Sequence, residues 1–169
     1  TRAEIPVNLT ALAPERITAS ASSWQVDLES YNTPQRSVEG TGESYCWWET
    51  REPTEQWLQL DLGDRYRIGA LEIQSNARRM DGYRIHVSND PEQWGDAITS
   101  GTLPNTSDYH PIVFEPAYGR YVTLVETSRH TDGYLRICDV RVHVSFALEN
   151  SLTGSRTFTR TNEVRLIDF

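Results

Sequence analysis

The chain has 169 residues, of which 37% are hydrophobic and 24% charged, and its 24 acids against 16 bases leave a net charge of −8. That length suits one domain with its own core, and the composition is that of a soluble globule. The acidic balance excludes long-range attraction to nucleic acid or an anionic membrane, and no apolar run approaches the length needed for membrane insertion.

All sixteen bases are Arg, and there are five Trp and eight Tyr. Aromatics at this density suit sheets, sugar sites and protein interfaces alike. The sequence opens at Thr1 without a secretory leader and reads as a piece of a longer chain. Asn8-Leu9-Thr10 and Asn105-Thr106-Ser107 match the N-glycosylation triplet, a pattern short enough to arise by chance.

In chain order, the first forty residues are irregular. Asn32-Thr33-Pro34 marks a turn, and the stretch SVEG-TGES is a loop whose Gly40 and Gly42 permit unusual backbone angles. SYCWWET, residues 44–50, sets Cys46 beside Trp47 and Trp48. From there short β-type runs take over. WLQLDLG places Leu58, Leu60 and Leu62 on one face, with Gln59 and Asp61 on the other. YRIGALEIQS continues with Ile68, Ala70 or Leu71, and Ile73, irregular at Gly69. GYRIHVSND alternates Tyr83, Ile85 and Val87 against Arg84 and His86. HPIVFEP is short and apolar. GRYVTLVET sets Val122 and Leu124 opposite Tyr121, Thr123 and Val125. LRICDVRVHVSF alternates Ile137 or Cys138, Val140, Val142 and Val144 against Asp139, Arg141 and His143. Trp57 is assigned to the core and Trp94 to turn packing.

Many short strands at even spacing, separated by Gly, Asn-Asp-Pro and Asp-Gly turns, predict an all-β sandwich or barrel. The domain is expected over residues 1–146. Residues 147–169 are a tail: a linker to a neighbouring domain, or late strands such as EVRLIDF.

Two cysteines, Cys46 and Cys138, allow a pair of buried thiols or a staple between distant segments. The lack of Cys-x-x-Cys spacing and the aromatic, Lys-free surface favour the staple and an extracellular or cell-surface setting. A catalytic thiol needs a base and an orienting group. His86, His110, His130 and His143 offer no such context, and His86 and His143 fall on outward strand positions. Asp61, Glu49, Glu52 and Glu55 show no spacing that demands a facing glycosidase pair. The chain is therefore expected not to be an enzyme.

The order NLTALAPERITASASS, SVEG, WLQLDLG, GYRIHVSNDPEQW, GRYVTL and LRICDVRVHV resembles the discoidin-like domains of the coagulation factor V and VIII type. It is most similar to their fucose-binding F-type lectin branch, to which CDVRV after LRI points. The resemblance covers about residues 7–145. It implies a galactose-binding-domain-like β-sandwich of jelly-roll form, ligand loops crowded at one end, and Cys46 joined to Cys138. It also implies a structural Ca2+ held by the carboxylates of Glu39 and Asp139, the side chain of Thr41, and the carbonyls of Arg36, Tyr45 and Cys138. Calcium takes six to eight hard oxygens, and a glycine-rich turn supplies carbonyls.

The sugar signature of that branch is incomplete. Trp48 stands where fucose-binding members carry His, and NARRMDGY lacks the stretch between the two arginines of the pattern. Arg79 matches the second arginine, and Arg78 approximates the first. A glycan needs a flat aromatic for its C–H face and fixed donors for its hydroxyls. Trp48 or Trp47 is the expected platform, with Arg78 and Arg79 as donors. His130, Trp24, Tyr31 and Tyr134 are second-rank candidates. The function expected is non-catalytic binding of a glycan or glycoprotein in extracellular recognition or adhesion. The alternative is a protein-binding or structural sandwich without a soluble sugar ligand.

Overall fold

The computed structural model describes residues 4–24, 33–39, 48–50, 52, 55–75 and 79–147. Its strands are β1 (Glu4–Asn8), β2 (Thr18–Ala21), β3 (Trp48–Glu49), β4 (Trp57–Ser75), β5 (Gly82–Ser88), β6 (Thr99–Thr102), β7 (Tyr109–Glu126) and β8 (Arg136–Ala147). One short helix, α1 (Leu9–Leu12), follows β1, and 3-10 turns lie at Pro14–Arg16 and Pro34–Val38. Pairing is antiparallel in the order β1-β8-β4-β7-β5-β6, with β2 added on β4 and β3 on β8.

The expected all-β sandwich is therefore present, but the six runs read from the sequence merge into four longer strands, to which the short β1, β2, β3 and β6 are added. WLQLDLG and YRIGALEIQS are one continuous strand, β4, and HPIVFEP joins GRYVTLVET in β7. Both run through two layers. The first part of β4 pairs with β2 and the last part of β7, and its second part pairs with β8 and the first part of β7. The register shifts between Asp61 and Tyr66 and again between Ile68 and Ala70. Such irregularities let a strand bend from one sheet into the other. The second coincides with the irregularity expected at Gly69. At the first, Gly63 takes φ of 78°, a left-handed angle natural to glycine.

The core follows the alternation. Leu58, Leu60, Leu62, Ile68, Leu71, Ile73, Ile85, Val122, Leu124, Val140, Val142 and Val144 are all buried together. The ambiguity at Ile137 and Cys138 has a physical origin. Gln74 pairs with Asp139 and Ser75 with Ile137, so Cys138 sits in a bulge and Ile137 faces the core.

One assignment needs correction, and two polar residues of the outer face are buried. Trp57 shares the outer face with Gln59, half-buried, and packs edge-on against Trp94 at 5.4 Å between ring centroids. Gln59, on the face opposite the leucines as read, is buried too, because the loop at Pro91 covers it: Nε2 donates to the Pro91 carbonyl (2.9 Å) and to Thr123 Oγ1 (3.0 Å). Asp139, also on the outer face of its strand, is buried and hydrogen-bonded rather than solvated. The tail from 148 to 169 lies outside the described residues.

Candidate ligand-binding site

Strand pairing brings the loops before β5, after β6 and after β7 to one end of the sandwich, since Gly82 pairs with Thr102 and Tyr83 with Glu126. The start of β8 lies at the same end as the C-terminal end of β4, through the pair Ser75–Ile137.

Backbone bonds lace these loops together. Leu103 N donates to Asp81 O (2.8 Å), Asp81 N to Ser128 O (2.9 Å) and His130 N to Arg79 O (3.0 Å). Ser128 Oγ donates to Asp81 Oδ2 (2.9 Å) and accepts from Gly82 N (2.9 Å). Glycine is required at position 82, where a Cβ would fall 2.3 Å from Thr127 Oγ1.

Two expected ligand residues meet here. Arg79 Nη1 donates to Asn105 Oδ1 (3.0 Å), while its Nε is enclosed and has no partner among the described residues. His130 Nε2 lies 2.7 Å from the Leu103 carbonyl, which assigns the proton to Nε2, and 3.8 Å from Asp81 Oδ1. Arginine, amide, imidazole and carboxylate groups thus converge on a rim of laced loops, an arrangement suited to reading hydroxyls.

Beneath the rim is an ion pair the sequence reading missed. Glu126 is 2% exposed, and Arg129 reaches it through Nη2 while Nη1 donates to the Gly133 carbonyl. Burial pushes the Glu126 carboxyl above its ordinary value, partly opposed by Arg129. Alternation held the signal: Glu126 has the parity of the core residues Val122 and Leu124.

Trp48 is a correction. It is 1% exposed, and its indole Nε1 donates to the Ser23 carbonyl (2.8 Å). Its ring fills the core and supports the chain before Trp24, so it offers no face to a ligand. Trp24 and Tyr134, 38% and 37% exposed, are the aromatic rings left at this end. Trp47, Arg78 and Tyr31 lie outside the described residues.

The expected calcium set divides in the same way. Thr41, Tyr45 and Cys46 lie outside the described residues. Glu39 and Asp139 line one pocket of about 300 Å³, together with Asn8, Thr10, Pro14 and Arg141. Two carboxylates sharing a pocket fit a hard cation in part. However, Asp139 Oδ2 already accepts from Tyr109 Oη (2.7 Å) and Arg141 Nε (3.2 Å), and Glu39 pairs with Arg36 (2.8 Å). A bound ion would have to loosen these guanidinium contacts. Among the described residues, no three His, Cys, Asp or Glu side chains converge on a metal position. Tyr109 is pushed up to about 12 by burial and by its bond to Asp139.

The fold and its rim are those of an antiparallel β-sandwich with its connecting loops gathered at one end. The F5/8 type C domain profile matches residues 16–140, and the chain belongs to that family. Among curated proteins it is similar to lactadherin of Rattus norvegicus, 24% identical over 136 residues, which are 72% of this chain and 32% of that protein. Lactadherin of Mus musculus is 22% identical over 131 residues, 70% of this chain and 28% of that protein. The chain thus spans about a third of these relatives' length. Among solved structures it is similar to CpGH89CBM32-5 of Clostridium perfringens, in complex with GalNAc-β-1,3-galactose: TM-score 0.69, 20% identity, covering 78% of this chain and 97% of that one. It is also similar to the serum fucolectin of Morone saxatilis: TM-score 0.67, 24% identity, covering 83% and 49%. These structural likenesses fix the fold.

Proposed function

We propose that this domain is a non-catalytic glycan-binding module acting in extracellular or cell-surface recognition. The observation that carries the reading is the convergence of Arg79, Asn105 and His130 on the rim where the β5, β6 and β7 loops meet. Arg79 donates to ligand oxygens, Asn105 and His130 fix the donor directions, and Trp24 or Tyr134 supplies a flat ring for the sugar's C–H face. GalNAc-β-1,3-galactose, the sugar held by one structural neighbour, supports neutral galactose-type sugars as the first class to test. Partners would be glycans or glycoproteins, presented to this module and to neighbouring domains of a longer chain.

The same reading includes a Cys46–Cys138 disulfide and a structural calcium. Trp48 pairs with Ile137, the residue before Cys138, and only two residues, about 7 Å at full extension, separate Trp48 from Cys46. Calcium would be held by Glu39 and Asp139 across their shared pocket. A thermal shift on adding calcium, absent in Asp139→Asn, is the expected result for that site.

The test of function is a glycan array followed by calorimetry on the best ligand. Arg79→Ala should weaken binding at least tenfold with unchanged thermal stability. An array silent with or without calcium would reject the reading. One observation favours the runner-up, a protein-packing sandwich: Val113 and Tyr118 are 78% and 63% exposed on β7.

A further inference from the structure

We propose that Asn105 is the N-linked glycan acceptor of this chain, and that Asn8 is not. The inference rests on the extracellular part of the proposed function, since the modification needs a secretory route. Two triplets, Asn8-Leu9-Thr10 and Asn105-Thr106-Ser107, are equivalent in sequence, and the fold separates them.

An occupied triplet lies on a surface loop, where the bulky glycan stays in solvent in the finished fold. Asn8 does not lie on such a loop: it ends β1. Its Oδ1 caps α1, accepting from Ala11 N (3.3 Å) and from Thr10 Oγ1 (2.6 Å). Thr10 is only 6% exposed, and its hydroxyl also accepts from Val142 N on β8 (3.2 Å). Asn8 itself is paired with His143 in the sheet. The triplet's backbone and its Thr10 hydroxyl are built into the sheet.

Asn105, Thr106 and Ser107 are all exposed, on the bend between β6 and β7. Thr106 N donates to the Pro104 carbonyl (2.9 Å), which turns the chain outward. The Ser107 hydroxyl makes no hydrogen bond among the described residues; only its carbonyl is used, by Gln74 Nε2 (3.1 Å). Asn105 meets Arg79 through Oδ1, not Nδ2. Modification at Nδ2 therefore leaves the Arg79 bond in place.

The co-substrate is a lipid-linked oligosaccharide pyrophosphate. Nδ2 forms the C–N bond to the anomeric carbon, the C–O bond to pyrophosphate breaks, Nδ2 gives up one proton, and the lipid pyrophosphate leaves with the electron pair. A glycan attached there shares the loop end with Arg79 and His130.

The test is secretion of the chain behind a leader from a mammalian host, followed by peptide mapping by mass spectrometry. The expected result is glycan mass on the Asn105 peptide, its conversion to Asp by peptide-N-glycosidase, and an unmodified Asn8 peptide. Ser107→Ala removes the hydroxyl and leaves the Asn105–Arg79 bond intact, so it should abolish the gel shift without altering thermal stability. A secreted chain with an unmodified Asn105 peptide, a gel shift that survives Ser107→Ala, or glycan on Asn8 would each overturn the proposal. Glycan binding is read on unmodified bacterial protein, so failure of the binding reading and failure of the acceptor site are separate results.

Discussion

Arg120 grips Asp61 with two parallel hydrogen bonds, Nε to Oδ1 at 2.6 Å and Nη2 to Oδ2 at 2.8 Å. Asp61 Oδ1 also accepts from Gly63 N (2.9 Å), so one carboxylate ties β7 to the corner where β4 leaves its first sheet. The Arg120 bond, the largest cause, holds the Asp61 carboxyl below its ordinary 3.8 despite some desolvation. A depressed carboxyl stabilises the fold above its unfolded value, and that contribution is lost as pH falls through the folded value. Asp61→Asn should therefore lower the denaturation midpoint at neutral pH and flatten the acid limb below 3.8. A variant that retains the wild-type acid limb would place the acid sensitivity elsewhere.

Trp48 and Trp24 should separate cleanly in mutation. Trp48 is sealed in the core and satisfies the Ser23 carbonyl, whereas Trp24 is exposed one residue further on. Trp48→Ala is expected to cost about 3–5 kcal/mol from cavity formation. Trp48→Phe keeps part of the packing and removes the indole hydrogen bond to Ser23, at about 0.5–1.5 kcal/mol for the bond itself. Trp24→Ala should change stability by less than about 0.5 kcal/mol while weakening any glycan found on the array. Urea unfolding and calorimetry on the same three proteins give both readouts. Equal stability for Trp48→Ala and wild type would contradict the core placement.

Gly82 is the tightest approach within the laced loops. An added Cβ meets Thr127 Oγ1 at 2.3 Å and Ser128 Oγ at 2.6 Å. Both hydroxyls sit on exposed residues that can turn away, but only by breaking the Ser128 bonds to Asp81 and to Gly82 N. Gly82→Ala should therefore displace the Arg79–His130 rim and reduce ligand affinity more than it reduces thermal stability. Ser128→Ala, which loses the bonds without the clash, should be milder on both measures. The reverse ranking would show that the hydroxyl bonds, not the close approach, shape the rim.

What the sequence revealed follows from how local each cause is. Alternation is local, so Leu58, Leu60, Leu62, Val140, Val142 and Val144 were identifiable as core, and with them the sandwich. Continuity across a corner is not local: nothing between Leu62 and Tyr66 tells a bent strand from a turn, and β4 was divided. The burial of Trp48 depends on Ser23, 25 positions away, and that of Gln59 on the Pro91 loop, 32 positions away. Arg79 and His130 were each chosen by chemistry. Their meeting depends on the Arg79–His130 backbone bond, which spans 51 positions and which no window on the sequence contains.

Glu126 gives the fold a pH dependence opposite in sign to that of Asp61. Desolvation is the largest influence and raises its carboxyl above 4.5; the bond and charge of Arg129 oppose the rise, and Glu55 adds to it. Tyr83 pairs with Glu126 across the β5–β7 ladder, and Gln56 accepts its backbone N–H (2.8 Å), so Arg129 is the cation facing the carboxylate among the described residues. Between the ordinary value and the raised folded value, the folded state binds more proton than the unfolded one. Stability must therefore fall as pH rises through that window. Glu126→Gln should remove that slope while keeping an acceptor for Arg129. Glu126→Ala, which removes the buried carboxylate of this ion pair, should cost about 3–5 kcal/mol. Unfolding free energies across the weakly acidic range compare the three proteins. A wild-type slope that survives in Glu126→Gln would assign it to another group.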